Sequence, residues 1–172
     1  MITRLVSEEQ VWSWLGEVTD PEIPVISIVD LGIVRGVQWI GPTCKVTITP
    51  TYSGCPAMQV ISDSVRDALK AKGIGAIEIV SQLSPAWTTD WMSDTGKVAL
   101  AAYGIAPPAH KVVDISGLHG GVKRRPTPVL AIACPMCGSS HTELTSQFGS
   151  TPCKALYKCL DCREPFDYFN CH

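Results

Sequence analysis

Val11, Trp12, Leu15 and Val18 recur at helical spacing near the start of the chain, and apolar residues three and four apart share one face of an α-helix. Ser7-Glu8-Glu9-Gln10 just before them reads as a capping box, with Val6 and Val11 placed as a hydrophobic staple. The pattern predicts a helix from about Glu8 to about Val18. Asp20 precedes Pro21, and a residue before proline is pushed out of the α region, so the helix should stop there.

Val25, Ile26, Ile28, Val29, Leu31, Ile33, Val34 and Val37 then predict an extended, β-branched stretch broken by Gly32 and Gly36. Gly41-Pro42 marks a hairpin turn. Lys45-Val46-Thr47-Ile48-Thr49 alternates with period two, which turns Val46 and Ile48 towards a core, and Cys44 reads as a packed residue beside them. Pro50 ends that strand. Pro56 suits a first helical position, because proline has helical φ and lacks the N–H that would be orphaned there. The helix that follows carries Met58, Ile61, Val65, Ala68 and Leu69 on one face, and Gly73 can close it. Ile77, Ile79 and Leu83 predict a third strand, and a short helix is expected from about Ser93 to Tyr103. The expected fold class is α+β: a three-stranded sheet with helices on one face.

After Ile105 the periodicity disappears, and Pro107, Pro108, Gly117, Gly120, Gly121, Pro126 and Pro128 punctuate the chain. We expect an α+β domain over 1–106, a linker over 107–131 and a small cysteine module over 132–172. Lys123-Arg124-Arg125 has no aromatic platform beside it and reads as a solvated linker run, as His110 and His119 read as surface residues.

Composition narrows the function. Of 172 residues, 45% are hydrophobic and only 17% charged, enough to bury a core, and the net charge of −2 leaves no electrostatic footprint for nucleic acid or an anionic membrane. No apolar run has the length of a membrane span, and no basic-then-apolar leader is visible, so the expected location is the cytoplasm. The chain has eight cysteines. Half of them form two C-x-x-C pairs, which is metal spacing in a reduced compartment rather than a disulfide framework.

Those pairs, Cys134/Cys137 and Cys159/Cys162, are separated by 21 residues. Each puts two sulfurs on one tight turn, and two turns complete a tetrahedron. Leu144, Ser146 and Phe148, then Ala155-Leu156-Tyr157, are placed to form the hairpin of a zinc ribbon. So small a module buries too little apolar area to fold alone, and the metal should supply much of its stability. A closed set of four thiolates leaves no position for a catalytic water and is structural. Zinc is the expected ion; a rubredoxin-like iron or an iron–sulfur cluster would use the same ligands. Cys153, Cys171 and His172, with His141, are the remaining candidates for a second metal site, against a packed Cys153 and a loose terminus.

Cys55 in Thr51-Tyr52-Ser53-Gly54-Cys55-Pro56-Ala57-Met58 belongs at the N-cap of the helix that Pro56 opens. Free N–H groups and the helix dipole favour an anion there, so the thiol should lose its proton readily and serve as nucleophile or metal ligand. Packed as a small hydrophobe, it would be inert. A thiol enzyme needs a general base, and no histidine precedes His110. Asp20 and Glu22 bracket Pro21 in a stiff loop that reads either as a solvated turn or as a pair of hard oxygen ligands.

Asp20-Pro21-Glu22-Ile23-Pro24, Val29-Asp30-Leu31-Gly32-Ile33-Val34 and Thr51-Tyr52-Ser53-Gly54-Cys55-Pro56, in that order, resemble the successive motifs of the iron–sulfur assembly-factor family with the Asp-Pro-Glu signature, the SufT-like proteins. Cys134-Pro135-Met136-Cys137-Gly138-Ser139, the segment Phe148 to Tyr157, and Arg163-Glu164-Pro165-Phe166-Asp167-Tyr168-Phe169 resemble the PaaD family of accessory proteins, encoded with the multicomponent phenylacetyl-CoA epoxidase of aerobic phenylacetate degradation. The resemblance implies a non-enzymatic maturation factor that helps assemble or insert the epoxidase's iron–sulfur or di-iron centre. Its partners would be the oxygenase or iron–sulfur reductase subunits, and its first domain would form a homodimer. Cys55 matches the family's reactive cysteine, a transient ligand for iron or an iron–sulfur cluster, and Asp20 and Glu22 match the acidic signature. The alternative is a non-catalytic docking subunit of the oxygenase complex with a structural zinc ribbon.

Overall fold

The computed structural model describes residues 6–108 and 132–169. His110, His119, the Lys123-Arg124-Arg125 run, Cys171 and His172 lie outside the described residues. Helix α1 (Glu8–Leu15) opens at Ser7, whose Oγ accepts a hydrogen bond from the Gln10 N–H at 3.2 Å. Val11 and Leu15 form its buried face. It ends short of Val18 because the N–H groups of Glu17 and Val18 bond to the carbonyls three residues back, tightening the tail into turns.

The stretch from Val25 to Ile33 corrects the sequence expectation: it coils instead of extending. The Ile26 N–H bonds to the Ile23 carbonyl, Leu31 to Ser27, and Gly32 to Val29. The Ser27 hydroxyl accepts from the Asp30 N–H at 2.9 Å and donates to Asp30 Oδ2 at 2.7 Å. Such local side-chain bonds offer the backbone an alternative to a ladder. Ile26, Ile28, Leu31 and Ile33 are nonetheless all in the core, while Val25 is exposed and Val29 half-buried.

Ladder pairing begins at β1 (Val34–Ile40), which turns at Gly41-Pro42 into antiparallel β2 (Thr43–Ile48). Cys44, Val46 and Ile48 are the buried side of β2. Helix α2 (Ala57–Ala71) crosses over to β3 (Ile77–Ser81), which lies parallel to β2, giving the sheet order β1-β2-β3. Leu83, expected in this strand, lies beyond it and is exposed. Val11 and Leu15 of α1 meet Ile61, Val65 and Leu69 of α2 over the buried side of β1 and β2, so both helices cover one face.

Helix α3 (Asp94–Ala102) is capped by Ser93, whose Oγ accepts from the Gly96 N–H and donates to Asp30 Oδ1 at 2.6 Å. The Ser93 N–H bonds to the Asp30 carbonyl at 2.8 Å. Gly32 has φ +76°, and a Cβ there would lie 2.6 Å from the Trp91 carbonyl oxygen. The Asp30-Leu31-Gly32 motif is therefore the seat on which α3 is mounted.

The cysteine module is a ribbon of β5 (Thr142–Ser146), β6 (Lys154–Cys159) and β7 (Pro165–Phe169). Ile105 and Ala106 form β4, which pairs in parallel with β7, so the second sheet runs β4-β7-β6-β5. Phe166 and Phe169 are three apart on β7 and point to opposite faces. Phe166 fills the ribbon's own small core with Cys134 and Cys159, whereas Phe169 enters the main core and meets Trp87 edge-on at 6.0 Å. One strand thus joins two cores.

Candidate functional site

The knuckle turns of the ribbon are built alike. The Cys134 N–H bonds to the Ser139 carbonyl at 2.8 Å, and the Cys159 N–H to the Glu164 carbonyl at 3.0 Å. After the second cysteine of each pair the chain turns left-handed, at Gly138 (φ +75°) and at Arg163 (φ +69°). All four sulfurs lie within 4.8 Å of one another, with Cys134 and Cys162 at 3.8 Å and Cys137 and Cys159 at 3.6 Å. A tetrahedron with metal–sulfur bonds of about 2.3 Å has edges of about 3.8 Å, so the set fits one tetrahedral ion. The N–H groups of Cys162 and Asp161 help hold the Cys159 thiol down at about 7.

His141 stands outside this set. Its Nδ1 lies 3.1 Å from Asp161 Oδ1, and Ser139 Oγ donates to the other oxygen of the same carboxylate. The Leu160 N–H bonds to the His141 carbonyl at 2.9 Å. Ser139, His141 and Asp161 therefore tie one knuckle to the other.

A second sulfur environment lies at the start of α2. Pro56, with φ −69° and ψ −21°, is the cap residue, and Cys55 precedes it. This corrects the expectation that Cys55 itself is the N-cap. The Cys55 N–H bonds to the Tyr52 carbonyl and the Met58 N–H to the Cys55 carbonyl, both at 3.3 Å. The thiol is half-buried, and burial pushes its pKa up; the Ala57 N–H and the Tyr52 hydroxyl pull it down, while the charges of Glu22 and Asp20 raise it further. The expected acidic thiol is thus not found, because desolvation outweighs the helix mouth. Tyr52 is pushed up to about 12, by burial first and then by Cys55.

Asp20 is 6% exposed and heads its own turn: Oδ1 accepts from the N–H groups of Glu22 at 2.8 Å and Ile23 at 2.9 Å. Burial raises its pKa against these two bonds. One oxygen of Asp20 is thereby committed to shaping the loop, and Glu22 is the freer carboxylate. Cys153 reaches this corner from the ribbon. It is 5% exposed, its Sγ donates to Glu22 Oε2 at 3.4 Å, and Thr151 Oγ1 lies 3.1 Å away. Burial pushes its thiol to about 11. Asp20, Glu22, Cys55 and Cys153 line a common cavity of about 10 Å³ whose apolar side includes Ile61 and Phe169, room for about one water-sized guest.

The structure therefore brings Cys55, Asp20 and Glu22 together and adds Cys153, whose place the sequence left open. Lys154, next to it, is a site neighbour that sequence reasoning missed: it is buried, pairs with Asp167 at 3.8 Å, and lowers Asp20 by its charge. Its polar type at the start of a half-buried strand was the available signal. Among the described residues, only the four ribbon cysteines bring three or more donor atoms within 4.8 Å of one another. No helix among the described residues is long and apolar enough to cross a membrane.

Comparison with known proteins finds two families along the chain. Residues 8–79 match the family described as iron-sulfur cluster assembly protein, and residues 121–170 match the PaaD zinc beta ribbon domain. The chain is 47% identical to a putative 1,2-phenylacetyl-CoA epoxidase subunit of Escherichia coli, over 94% of this chain and 92% of that protein. It is 38% identical to the Fe-S protein maturation auxiliary factor YitW of Bacillus subtilis, over 54% of this chain and 92% of the relative. Among solved structures, a domain of unknown function from Bacillus anthracis superposes with a TM-score of 0.50 at 31% identity, covering 54% of this chain and 90% of that one.

Proposed function

The chain belongs to the PaaD family, that of the epoxidase component it matches over nearly its whole length, and on that premise we propose that it is a maturation factor for a multicomponent phenylacetyl-CoA epoxidase. It acts in the cytoplasm on the oxygenase or iron–sulfur reductase subunits and helps to assemble or insert their iron–sulfur or di-iron centre. The observation that carries this reading is the meeting of Cys55 with Glu22 and Asp20 around one small cavity, apart from the four-cysteine cluster.

A delivery ligand must both take and give up its cargo. Four thiolates closed around one ion hold it too completely for that. A half-buried thiol beside carboxylates offers a mixed, incomplete donor set, which borderline ions such as ferrous iron accept and leave. Cys55 is the transient thiolate, Glu22 the oxygen donor, and Asp20 the residue that fixes the Glu22 backbone. The ribbon cysteines Cys134, Cys137, Cys159 and Cys162 hold a structural ion, which we assign as zinc.

The test is anaerobic iron loading of wild type and Cys55→Ala, followed by activation of iron-free epoxidase. Cys55→Ala should keep the ribbon's ion and lose both loading and activation. Equal loading and equal activation would remove Cys55 from the mechanism and leave a docking subunit with a structural ribbon.

A further inference from the structure

Cys153 has no part in the four-cysteine cluster, yet it is held more deeply than a linker cysteine needs to be. It lies on the approach to β6, immediately before Lys154, and belongs to the main core of the assembly-factor domain rather than to the ribbon's own core. A cysteine that serves only as packing is surrounded by apolar groups. This one faces a carboxylate oxygen at 3.4 Å and a hydroxyl at 3.1 Å, and it shares its cavity with a second thiol and a second carboxylate. The cation nearest in sequence, Lys154, is turned to Asp167. Two sulfurs and a carboxylate around a space for one small guest form a donor set for a thiophilic divalent ion.

We propose that Cys153 of the ribbon and Cys55 of the first domain are the two sulfur ligands of one labile divalent-metal seat, with Glu22 as its oxygen ligand. This rests on the delivery reading of Cys55 and adds that the ribbon supplies half of the sulfur. Binding replaces the thiol proton of each cysteine by a bond to the ion, so two protons leave for each ion bound, and the carboxylate of Glu22 completes three protein donors. The remaining position is open to water or to a partner's ligand. These donor atoms do not lie within 4.8 Å of one another as the cluster sulfurs do. Cys153 and Glu22 already stand 3.4 Å apart, so binding draws Cys55 in towards that pair across the contact between the two domains, and release lets it part. The ribbon's structural ion then has a function at a distance, since it folds the module that presents Cys153.

The experiment uses the full chain with zinc in the ribbon and cobalt(II) as the probe, titrated without oxygen. Sulfur-to-cobalt absorbance reports how many thiolates bind. Wild type should take one cobalt beyond the ribbon's ion and release two protons. Cys153→Ser should lose about half of the absorbance per ion and bind at least about tenfold more weakly, since even outer partners of a metal site are worth that much. Cys55→Ala should abolish the added band. Glu22→Gln, which leaves both sulfurs in place, should weaken binding without changing the absorbance per bound ion. Loss in Cys55→Ala with no change in Cys153→Ser would overturn this inference and leave the delivery reading standing. Unchanged affinity in Glu22→Gln would strike the carboxylate from the site and overturn the ligand set as stated. Absence of an added cobalt in wild type, or its persistence in Cys55→Ala, would overturn both readings.

Discussion

Strand β6 starts beside one sulfur site and ends in the other. Cys153 precedes it and faces Glu22; Cys159 is its last residue and faces three other sulfurs. The chemistry of the side chain is the same, and the surroundings differ in two ways. At Cys159, backbone N–H groups and a complete set of thiols favour a resident ion. At Cys153 and Cys55, burial and carboxylates keep the thiols protonated. A complete donor set holds a fold together, whereas an incomplete one suits exchange.

Stripping the ribbon's ion should have the largest effect, because structural zinc contributes on the order of 10 kcal/mol to such modules. Amide exchange should show protection lost in β5, β6 and β7 and kept in α1 and α2. Retained protection in the ribbon after chelation would mean that the four sulfurs do not hold it.

Phe169→Ala comes next. This side chain is 1% exposed and packs on Trp87, whose Nε1 donates to the Leu31 carbonyl at 3.0 Å. Large-to-small changes of this kind cost about 3–5 kcal/mol. Thermal unfolding should register that loss while the ribbon's metal content stays at the wild-type level, separating docking from metal binding.

Asp20 gives a smaller effect with a defined sign. Asp20→Ala leaves two N–H groups without their acceptor and should cost about 2 kcal/mol. Asp20→Asn keeps a carbonyl acceptor and removes the buried charge. Because the folded pKa of Asp20 lies above 3.8, the wild type loses stability as pH rises from 3.8 through that value. The Asn variant lacks that loss, so its stability relative to wild type should grow over this window and stay level to pH 7. Unfolding midpoints measured from pH 3.5 to 7 check this. A flat difference would show that Asp20 is not perturbed.

The smallest effect belongs to the second knuckle. Arg163 adopts the left-handed conformation that Gly138 takes in the first, at a cost of roughly 1–2 kcal/mol for an L residue. Arg163→Gly relieves this but loosens the unfolded chain, so a gain of about 1 kcal/mol or less is expected in the ribbon's resistance to chelation.

Local signals in the sequence were enough for the parts of the fold that depend on them. Ser7 caps α1, Gly41-Pro42 turns the hairpin, and the alternation of β2 buries Val46 and Ile48. The run from Val25 to Ile33 misled because its apolar content suggested a strand, while Ser27 and Asp30 formed turns through their own side chains. Spacing sufficed for the four-cysteine cluster. Two features had no such signal. β7 was hidden because Phe166 and Phe169 serve opposite faces and break the alternation. The approach of Cys153 to Glu22, separated by 131 positions, depends on that strand. The charge state of Cys55 departs from its motif for a related reason: a motif shows where a helix begins but not what will cover it.

The parallel pairing of Ile105-Ala106 with Asp167-Tyr168 means that severing the chain after residue 108 would do more than shorten it. The short strand would become a raw edge, and the socket occupied by Phe169 would open with Trp87 as an oily floor. A half-molecule of that kind should be sticky and hard to keep in solution. Any attempt to study the first domain by itself should begin by making that socket polar.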